Sequence, residues 1–484
     1  MNNNKVFFVN FSEVEDRLDP QYFFSKNNLH LANNTIFPVY PIAQVLDLQR
    51  GKFGHRPRND PKLYNGQYPF IQTGDIVKAS LNNLPIEFSQ TLNELGLKTS
   101  RLVSEKVVVL TIAANIGYTA ILDYSACFPD SLIAIKPKEE QILYLEYMDI
   151  YFKSIRQYLD DLAPQAAQKN INYQQLAKIP FVVPPQKRQQ EIIELKHKNN
   201  ILANQKLKQS QTLLNSISDY LLEKLGITVP QVDNSLSNRI FFINANDIRG
   251  GRLDPFNQIG YYREFAEKLL QNKFGYKPLK DFIIHDCSGN WGNDIVDNFD
   301  ENIFDKYLIV RATEFDNQDN LQLNADKIKF RLLDKQKLSN LRIQENDILV
   351  EKSGGSENQP VGRVAILDTH ILEKYDGNIA FSNFIHKISV DKNMIDPHFL
   401  FYYLKMLHHF KYTERMQSQT NGIRNLILKD FFDIPILNVP LETQKTIVAH
   451  IKQIREQAKN LEQQAKDLLQ QTQQEIEKMI LGND

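Results

Sequence analysis

The chain contains an internal repeat, and this feature constrains its fold more than any other. Phe7-Phe8-Val9-Asn10 recurs as Phe241-Phe242-Ile243-Asn244, and Arg17-Leu18-Asp19-Pro20 recurs as Arg252-Leu253-Asp254-Pro255. Later matches keep the same order: Gly51-Lys52-Phe53-Gly54 with Gly289-Asn290-Trp291-Gly292, Gly117 to Asp123 with Gly362 to Asp368, and Ile179-Pro180 with Ile434-Pro435. A period of about 230 to 250 residues is that of a whole domain and not of a solenoid repeat. Two similar domains predict a pseudo-twofold molecule, suited to a target with two similar halves.

Composition places the chain among ordinary globular proteins. It has 484 residues, 42% of them hydrophobic, and a formal net charge of −1. A protein that held nucleic acid by overall charge would be basic, so any basic surface here must be local. The two cysteines, Cys127 and Cys287, occupy non-equivalent positions in the repeats, which argues against a disulfide framework or a metal held by cysteine. Because no stretch approaches the length of a membrane span and no signal peptide is evident, we expect a cytoplasmic protein.

Each repeat consists of a globular domain followed by a long helix. Residues 1–185 and 239–441 mix short β-like runs with helical stretches and Gly, Pro and Asn turns, which predicts α/β or α+β domains. Neither Pro nor Gly occurs between Pro185 and Gly226, or between Pro440 and Gly482. Residues 186–226 and 442–484 are therefore predicted as helices of about 40 residues, roughly 60 Å long. Residues 227–238 form the predicted linker.

Hydrophobic spacing predicts that the two helices pair. In the second helix the steps of four and three are typical of a coiled coil, with Glu475 as an interruption, along Ile447, Ile451, Ile454, Ala458, Leu461, Ala465, Leu468, Thr472 and Met479. The first helix has a looser stripe, near which Asn199 and Lys206 fall: Ile192, Leu195, Leu202, Leu207, Leu214, Ile217 and Leu221. We expect an antiparallel pair, because a twofold relation brings equivalent stripes face to face. The alternative is that each helix packs on its own domain.

Signatures of catalysis are lacking. The sequence has no phosphate-binding Gly-x-x-x-x-Gly-Lys-Ser/Thr, no Gly-x-Gly-x-x-Gly, and no His-Glu-x-x-His. Val183-Pro184-Pro185-Gln186 lacks the polar first residue and the aromatic last residue of an adenine methyltransferase motif. Gly354-Gly355-Ser356 is more readily explained by turn chemistry than by phosphate binding. We therefore predict a chain without enzymatic activity, bound metal or cofactor.

Basic residues are concentrated in one loop of the first repeat. Arg50, Lys52, Arg56, Arg58 and Lys62 lie within 13 positions that hold one acidic residue, Asp60, and His55 lies among them. Such a loop suits a phosphate backbone, although a solvated surface loop has the same composition. The equivalent loop of the second repeat keeps the glycines and the aromatic residue but replaces the charges. A common frame with different polar side chains is expected of two domains that read different base sequences.

Two further pairs of segments follow the same logic. Ile71-Gln72-Thr73-Gly74-Asp75-Ile76 corresponds to Val310-Arg311-Ala312-Thr313-Glu314-Phe315, where Gln72 and Arg311 suit adenine and guanine edges. Gln168-Lys169-Asn170-Ile171 corresponds to Ile423-Arg424-Asn425-Leu426, where the retained cation suits a phosphate. The predicted DNA-binding residues are Lys52, His55, Arg56, Arg58, Gln72, Thr73, Gln168, Lys169, Asn290, Trp291, Arg311, Thr313, Lys352, Arg363 and Arg424. The predicted coiled-coil interface is Ile192, Leu202, Leu214, Ile217, Leu221, Ile447, Ile451, Ile454, Leu461 and Leu468.

The sequence resembles the specificity subunit of type I restriction-modification systems. The resemblance is carried by the segment from Asn170-Ile171 through Ile179-Pro180 and Pro184-Pro185 to Gln189 and Ile192, and by its repeat from Asn425-Leu426 through Ile434-Pro435 and Pro440 to Gln444 and Ile447. This segment is similar to the family's junction between a target-recognition domain and its helix. Two departures are Val439-Pro440 in place of Pro184-Pro185 and a longer loop around Lys374 to Asn378.

The resemblance implies the following assembly. Residues 1–185 and 239–441 would be target-recognition domains that each read one half of a split double-stranded DNA sequence, and the helices would set the spacer and carry two methyltransferase subunits. Those subunits would bind S-adenosylmethionine and methylate adenine, and a restriction and translocase subunit would cleave. Two alternatives stay open: a specificity subunit for the single methyltransferase-nuclease polypeptide of a type IIB system, and a scaffold of adaptor domains that does not bind DNA.

Overall fold

The computed structural model describes two compact units. Described are residues 30–54, 59–139, 142–163, 170–233, 258–315, 329–341, 343–356, 358–375, 378–420 and 423–482, together with the single positions 235, 240, 242, 321 and 323. The first unit comprises Met1–Leu207 with Gln463–Asp484, and the second comprises Lys208–Glu462. Each long helix therefore contributes one part to each unit. The first two repeat matches, at Phe7 and Arg17, lie outside the described residues.

The first unit is a mixed α/β structure. Its strands are β1 Val39–Pro41, β2 Leu46–Arg50, β3 Tyr64–Phe70, β4 Gln90–Leu92, β5 Leu102–Val103, β6 Val107–Thr111, β7 Thr119–Leu122, β8 Ala126–Cys127, β9 Leu132–Pro137 and β10 Pro180–Val182. Its helices are α1 His30–Asn34, α2 Ile42–Val45, α3 Thr73–Asn82, α4 Glu94–Thr99, α5 Leu145–Ser154, α6 Arg156–Leu162, α7 Tyr173–Ala177 and the first part of α8 Gln186–Leu225. The sheets have the orders β2-β9-β6-β7, β4-β3-β8-β5 and β1-β10.

The central strand β6 separates two hydrophobic cores of this unit. Successive side chains of a strand point to opposite faces of the sheet. Val108 and Leu110 face a core built around α5, whereas Val107 and Val109 face a core that includes α3. An apolar run with a side chain buried at every position is typical of a strand covered on both faces. The fully apolar Val-Val-Val-Leu sequence is therefore the cause of this layered arrangement.

The second unit repeats the same plan with additions. Its strands are β11 Tyr276–Pro278, β12 Ile283–Ser288, β13 Phe304–Val310, β14 Phe330–Asp334, β15 Ile348–Glu351, β16 Ser353–Gly355, β17 Val364–Ile366, β18 Ile379–Phe381, β19 Ile385–Val390, β20 Gln417–Thr420, β21 Ile423–Leu426 and β22 Pro435–Leu437. Its helices are α9 Gly260–Leu270, α10 Leu338–Leu341, α11 Thr369–Lys374, α12 Pro397–His409, α13 Leu428–Phe432 and the first part of α14 Leu441–Leu481, and the second part of α8 joins them. The sheets have the orders β12-β19-β15-β17, β14-β13-β18, β16-β21-β20 and β11-β22.

The structure confirms the internal repeat. In each unit a four-stranded antiparallel sheet has the same order of equivalent strands, β2-β9-β6-β7 in the first and β12-β19-β15-β17 in the second. Gly117 and Gly362, which the sequence aligns, both lie in the left-handed region, with φ of 82° and 97°. Because that region favours glycine, the same turn explains why both copies have glycine there. The predicted α/β fold class is also confirmed.

The long helices α8 and α14 run antiparallel within each unit. In the first unit the Asn199 side chain donates to Thr472 Oγ1 at 2.8 Å, and Lys206 Nζ donates to Gln464 at 2.7 Å. In the second unit Ser210 Oγ donates to Glu462 at 2.8 Å. The residue numbers fall along α14 as they rise along α8, so the predicted antiparallel pairing is confirmed.

The seam of α8 differs in detail from the prediction. Leu202, predicted to lie in the interface, is 39% exposed, whereas the adjacent Ala203 is 1% exposed. The stripe that faces α14 runs instead through Asn199, Ala203, Lys206 and Ser210. Small side chains allow a close approach of two helix backbones, and polar ones persist there because each finds a partner on α14. Sequence hydrophobicity alone favoured the leucine, and Leu207 is likewise exposed.

The ends of the helices are buried in the cores of the units. Ile192 packs in the first unit, and Ile217, Leu221, Ile447, Ile451 and Ile454 pack in the second. Leu214, Leu461 and Leu468 are partly buried. Near the end of α14 the buried residues are Ile476 and Ile480, whereas Glu475 is exposed and Met479 is partly buried. The buried face of α14 therefore differs here from the predicted one through Glu475 and Met479, because this end of the helix packs against the globular core of the first unit. Among the described residues, no helix is long and apolar enough to cross a membrane.

Candidate nucleic-acid interface

The first unit presents its predicted recognition residues at the ends of buried strands. The backbone amides of Gly51 and Lys52 donate to the carbonyls of Leu132 and Phe128 at 2.9 and 3.0 Å, which fixes the segment after β2. Lys52 is exposed, and Phe53 is buried against other aromatic rings. The predicted contacts His55, Arg56 and Arg58 lie outside the described residues. The described part of this loop therefore consists of a fixed backbone with an exposed lysine.

Gln72 begins helix α3 at the edge of the same unit. Its backbone amide donates to Asp75 at 2.8 Å, which forms a capping box, and its exposed side chain donates to Gln90 at 2.6 Å. Thr73 is partly buried, and its hydroxyl lies 3.2 Å from that of Ser131. A capping box satisfies amide groups that the first turn of a helix leaves without partners. The backbone at Gln72 is thus anchored while its amide side chain remains at the surface.

Arg311 occupies the equivalent position in the second unit. Its backbone amide donates to Glu314 at 2.6 Å and its Nε donates to the same carboxylate at 3.0 Å, so a carboxylate three residues later again accepts from the backbone amide. The Thr313 hydroxyl also donates to Glu314 at 2.9 Å. Glu314 is buried, whereas Thr313 is exposed and Arg311 is partly exposed. The buried carboxylate therefore orients a guanidinium that reaches the surface.

Asn290 and Trp291 follow strand β12, in the position of Lys52 and Phe53. The Asn290 amide donates to the Phe381 carbonyl at 2.9 Å, which matches the hydrogen bond from Lys52 to Phe128. Asn290 is exposed and Trp291 is 38% exposed, so this aromatic residue lies at the surface where Phe53 is buried. The Arg331 guanidinium lies 5.2 Å from the centroid of the Trp291 ring. The two units therefore share a backbone frame and differ in the side chains that it presents.

Comparison with known proteins identifies the family. The family model for the type I restriction modification DNA specificity domain matches residues 37–210 and 271–471. The chain belongs to this specificity family. Family members recognise DNA and do not themselves catalyse its modification or cleavage.

Solved structures of such subunits resemble the chain over nearly its full length. The S subunit of a type I restriction-modification system from M. genitalium is 14% identical, with 93% of this chain and 96% of that chain covered and a TM-score of 0.40. The HsdS subunit from Thermoanaerobacter tengcongensis is 14% identical, with 93% and 97% covered and a TM-score of 0.38. A structure from work on complex assembly and conformational transition of the type I system is 12% identical, with 92% and 96% covered and a TM-score of 0.50. At 12% identity the likeness to this last structure concerns the fold alone.

Arg363 has an internal role in this specificity chain. Its Nε donates to the Glu351 carboxylate at 2.7 Å, and its terminal nitrogens donate to the carbonyls of Ala312 and Phe315 at 2.9 and 3.2 Å. Burial raises the pKa of the Glu351 carboxyl, although Arg363 opposes this shift. That Arg363 contacts DNA directly stays a prediction, and these contacts show that its guanidinium also has partners within the unit. Because its guanidinium joins β15 to the turn after Arg311, we assign it to positioning that turn.

Lys352 belongs to a polar cluster on the sheet of β12, β15 and β19. Its Nζ donates to Ser288 Oγ at 2.8 Å, His386 Nδ1 lies 3.2 Å from the same hydroxyl, and His386 Nε2 lies 2.8 Å from Asp286. Burial lowers the pKa of both Lys352 and His386, and for His386 the hydrogen bond to Asp286 opposes the shift.

This cluster has the residue types of a Ser-His-Asp triad, but the two backbone amides that follow its serine already have carbonyl partners. The amides of Gly289 and Asn290, which follow Ser288, already donate to the carbonyls of Ile385 and Phe381 at 3.1 and 2.9 Å. Acyl transfer at a serine requires such amides to point at the developing charge. Among the described residues, no group of His, Cys, Asp and Glu has the arrangement of a metal site. The contacts of this cluster hold the Lys352 ammonium against Ser288.

Arg424 lies on strand β21, opposite Gly355 of β16 and Gln419 of β20. It is partly exposed. Its first-repeat counterpart Lys169 and the preceding Gln168 lie outside the described residues. Two positions further on the backbone is equivalent in both units, since the amides of Ile171 and Leu426 donate to the carbonyls of Ile112 and Lys352 at 2.9 and 2.8 Å. In the second unit the basic position thus lies two residues before a backbone hydrogen bond that has an equivalent in the first unit.

A cavity in the second unit brings several predicted residues together and adds others. It has a volume of about 630 Å³, and among the residues that line it are Trp291, Arg311, Thr313, Arg363, Ser382, Asn383 and Phe384. The sequence did not single out Ser382, Asn383 or Phe384. Phe384 is 47% exposed, but no pattern in the sequence distinguishes it from a core phenylalanine at the start of β19. Trp291 follows β12 and Phe384 precedes β19, and the pairing of these two strands brings both residues to the cavity.

Proposed function

We propose that this chain directs a restriction-modification complex to a split double-stranded DNA sequence, with each recognition domain reading one half-site. The observation that carries the proposal is the pair Gln72 and Arg311. At both positions, where a helical turn begins, the backbone amide donates to a carboxylate three residues later, and both side chains reach the surface. Glutamine pairs with adenine edges and arginine with guanine edges in the major groove. The same frame would therefore present a different base-reading group in each domain.

The paired helices support the second part of the proposal, that their length sets the unread spacer between the half-sites. Hydrogen bonds from Asn199, Lys206 and Ser210 to α14 oppose sliding of one helix along the other. Polar groups in a helix seam specify register more strongly than apolar groups, which can slide past one another. A fixed register would give a fixed distance.

Partner subunits would supply the chemistry. We propose two methyltransferase subunits, which bind S-adenosylmethionine and methylate adenine, and restriction and translocase subunits, all acting on DNA in the cytoplasm. The net charge of −1 supports this division of labour, because tight DNA binding depends on neutralised phosphates. A type IIB partner set is the alternative, and the genes beside this one distinguish the two. The non-DNA scaffold is disfavoured by the family match.

Sequencing of methylated adenines tests the proposal. The chain is produced with its methyltransferase partner as wild type, as Gln72→Ala and as Arg311→Ala, and Arg263→Ala serves as the matched control because Arg263 is exposed on α9. We expect each of the first two variants to change or weaken a different half of the methylated motif, and the control to change neither. A wild-type complex that methylates no defined motif, or variants that alter both halves alike, would contradict the proposal.

The salt dependence of binding gives a second test. We expect the free chain to bind the motif weakly and the complex with methyltransferase to bind it tightly, because the partner supplies phosphate-binding cations. The slope of log affinity against log salt concentration should be steeper for the complex. Equal slopes and affinities would refute this division between the chain and its partner.

A further inference from the structure

We propose that the cavity lined by Trp291 and Phe384 receives one DNA base turned out of the double helix. This inference rests on the proposed function and deepens it, because it names how the second domain recognises one position of its half-site. The cavity has a volume of about 630 Å³, within the range of pockets that enclose small planar ligands.

Two surface aromatic rings give the cavity its apolar character. Trp291 and Phe384 are 38% and 47% exposed, and large aromatic side chains are usually more buried than this. Phe384 lies against Gly354, which has a φ of 96° and where an added Cβ would come within 3.2 Å of the ring. Glycine at 354 thus lets the strand backbone run directly beneath the ring. Exposed rings that a backbone supports are the usual platform for an unstacked base.

Polar groups on the cavity wall fit the edge of a base. Ser382 is 2% exposed, and its Oγ has no hydrogen-bond partner among the residues that the structure describes. A buried hydroxyl without a partner is destabilising, so its retention points to a partner that arrives with a ligand. Asn383 and Thr313 are exposed on the same wall, and Glu314 orients Arg311 beside them. These donors and acceptors match the edge of a base better than they match an apolar ligand.

In the described part of the first unit, the equivalent positions do not show these features. Phe53, in the position of Trp291, is buried against Phe70 with ring centroids 5.0 Å apart. Ser131 occupies the position of Phe384, and its hydroxyl lies 3.2 Å from that of Thr73. Base capture is therefore expected in the half-site of the second domain only. The stacking of the base on two rings would offset the cost of removing it from the duplex.

Fluorescence of 2-aminopurine tests the inference in the complex of this chain with its methyltransferase partner. The probe is placed in turn at each position of the half-site read by the second domain, because its fluorescence rises when the base leaves the stack. We expect one position to brighten with the wild-type chain and to stay dark with Trp291→Ala and Phe384→Ala. Both variants should also weaken binding about tenfold or more. Phe88→Ala, which removes a similarly exposed phenylalanine from the first unit, should change neither signal.

The remaining outcomes are also decisive. A position that stays bright in both aromatic variants belongs to a base turned out by the methyltransferase and does not support the cavity. Trp291→Phe should restore the signal if the ring is a stacking platform. A third outcome is that the complex binds its motif without the fluorescence at any position depending on Trp291 or Phe384. In that case the bases stay stacked and are read from the groove, and the inference is overturned. If the wild-type complex binds no defined motif, the proposed function itself fails.

Ser382→Ala distinguishes a ligand-binding hydroxyl from a buried one without a role. If Ser382 contacts the base, the variant should dim the same position and leave the unfolding temperature of the chain unchanged or higher. Unchanged fluorescence together with a higher unfolding temperature would overturn the Ser382 contact.

Discussion

Acidification is expected to destabilise the second unit through His408. This residue lies near the end of α12, and its Nε2 is 3.4 Å from the Pro360 carbonyl oxygen. Burial lowers the pKa of His408 to about 4, nearby positive charges including Arg363 act in the same direction, and the Pro360 hydrogen bond opposes them. The side chain also lies next to Gly362, in the segment that leads from the cavity wall to β17. Protonation of His408 would therefore place a positive charge in a buried site beside the cavity, which destabilises the folded state.

The size and sign of the effect follow from the two pKa values. The unfolded chain has a histidine pKa of about 6.5, so the folded state disfavours protonation by roughly 2.5 pKa units at about 1.36 kcal/mol each. The stabilisation from a neutral His408 is fully present above pH about 6.5, and it is lost as the pH falls towards about 4. Linkage gives a loss of about 2 kcal/mol at pH 5 and about 3 kcal/mol at pH 4, relative to pH 7.

Urea unfolding at a series of pH values measures this loss. His408→Gln removes the titrating group. Between pH 7 and pH 5 the free energy of unfolding should therefore fall by about 2 kcal/mol less in this variant than in the wild type. His285→Gln is the matched control, because the His285 side chain is exposed and is not one of the groups that shift the pKa of His408. Parallel pH profiles for the wild type and His408→Gln would refute the reasoning.

Three further predictions concern the helices, the basic position and the frame. Insertion of four residues beside Lys206 should add about one or two base pairs to the spacer of the methylated motif without changing either half-site, and a seven-residue insertion should be better tolerated because it keeps the seam in register. Sequencing of methylated adenines checks both insertions, and altered half-sites would count against the helices as spacer. Arg424→Ala should weaken binding to all sequences alike and lower the salt slope by about one, as titrations at several salt concentrations would report. Gly289→Ala should destabilise the second unit by about 2 kcal/mol or more, because the added Cβ would lie 2.2 Å from the Phe381 carbonyl oxygen. Gly74→Ala is the control, since its added Cβ would have no atom within 4 Å, and it should unfold in urea as the wild type does.

The interior of each domain was predictable because local chemistry dictates it. The apolar run at Val107 to Leu110 can be satisfied only between two layers, and it forms the central strand between two cores. The glycines at 117 and 362 are aligned in the sequence because the same left-handed turn occurs in both units. Such features depend on a few neighbouring residues, so a repeat in the sequence becomes a repeat in the fold.

The helix seam was predictable only in part. The long stretches without Pro or Gly predict two helices, and their heptad spacing predicts that they pair. Hydrophobicity, however, predicted Leu202 and not Ala203 in the helix interface. It also gave no reason to place the polar Asn199 and Lys206 in that interface. Their partners Thr472 and Gln464 are more than 250 positions away along the chain. A polar residue belongs in a seam only when a partner satisfies it, and the sequence does not show that partner.

The sequence by itself determined the two-domain repeat, the long helices and the family. It also indicated where the frame presents its variable side chains, at Lys52 and Gln72 in one unit and Asn290 and Arg311 in the other. Other contacts were visible only in the tertiary structure. Arg363 donates a hydrogen bond to Glu351, and Phe384 lines a cavity together with Trp291. The physical reason is that burial and hydrogen-bond partners are properties of neighbours in space. Strands that lie far apart in the chain supply those neighbours only after the sheet has formed.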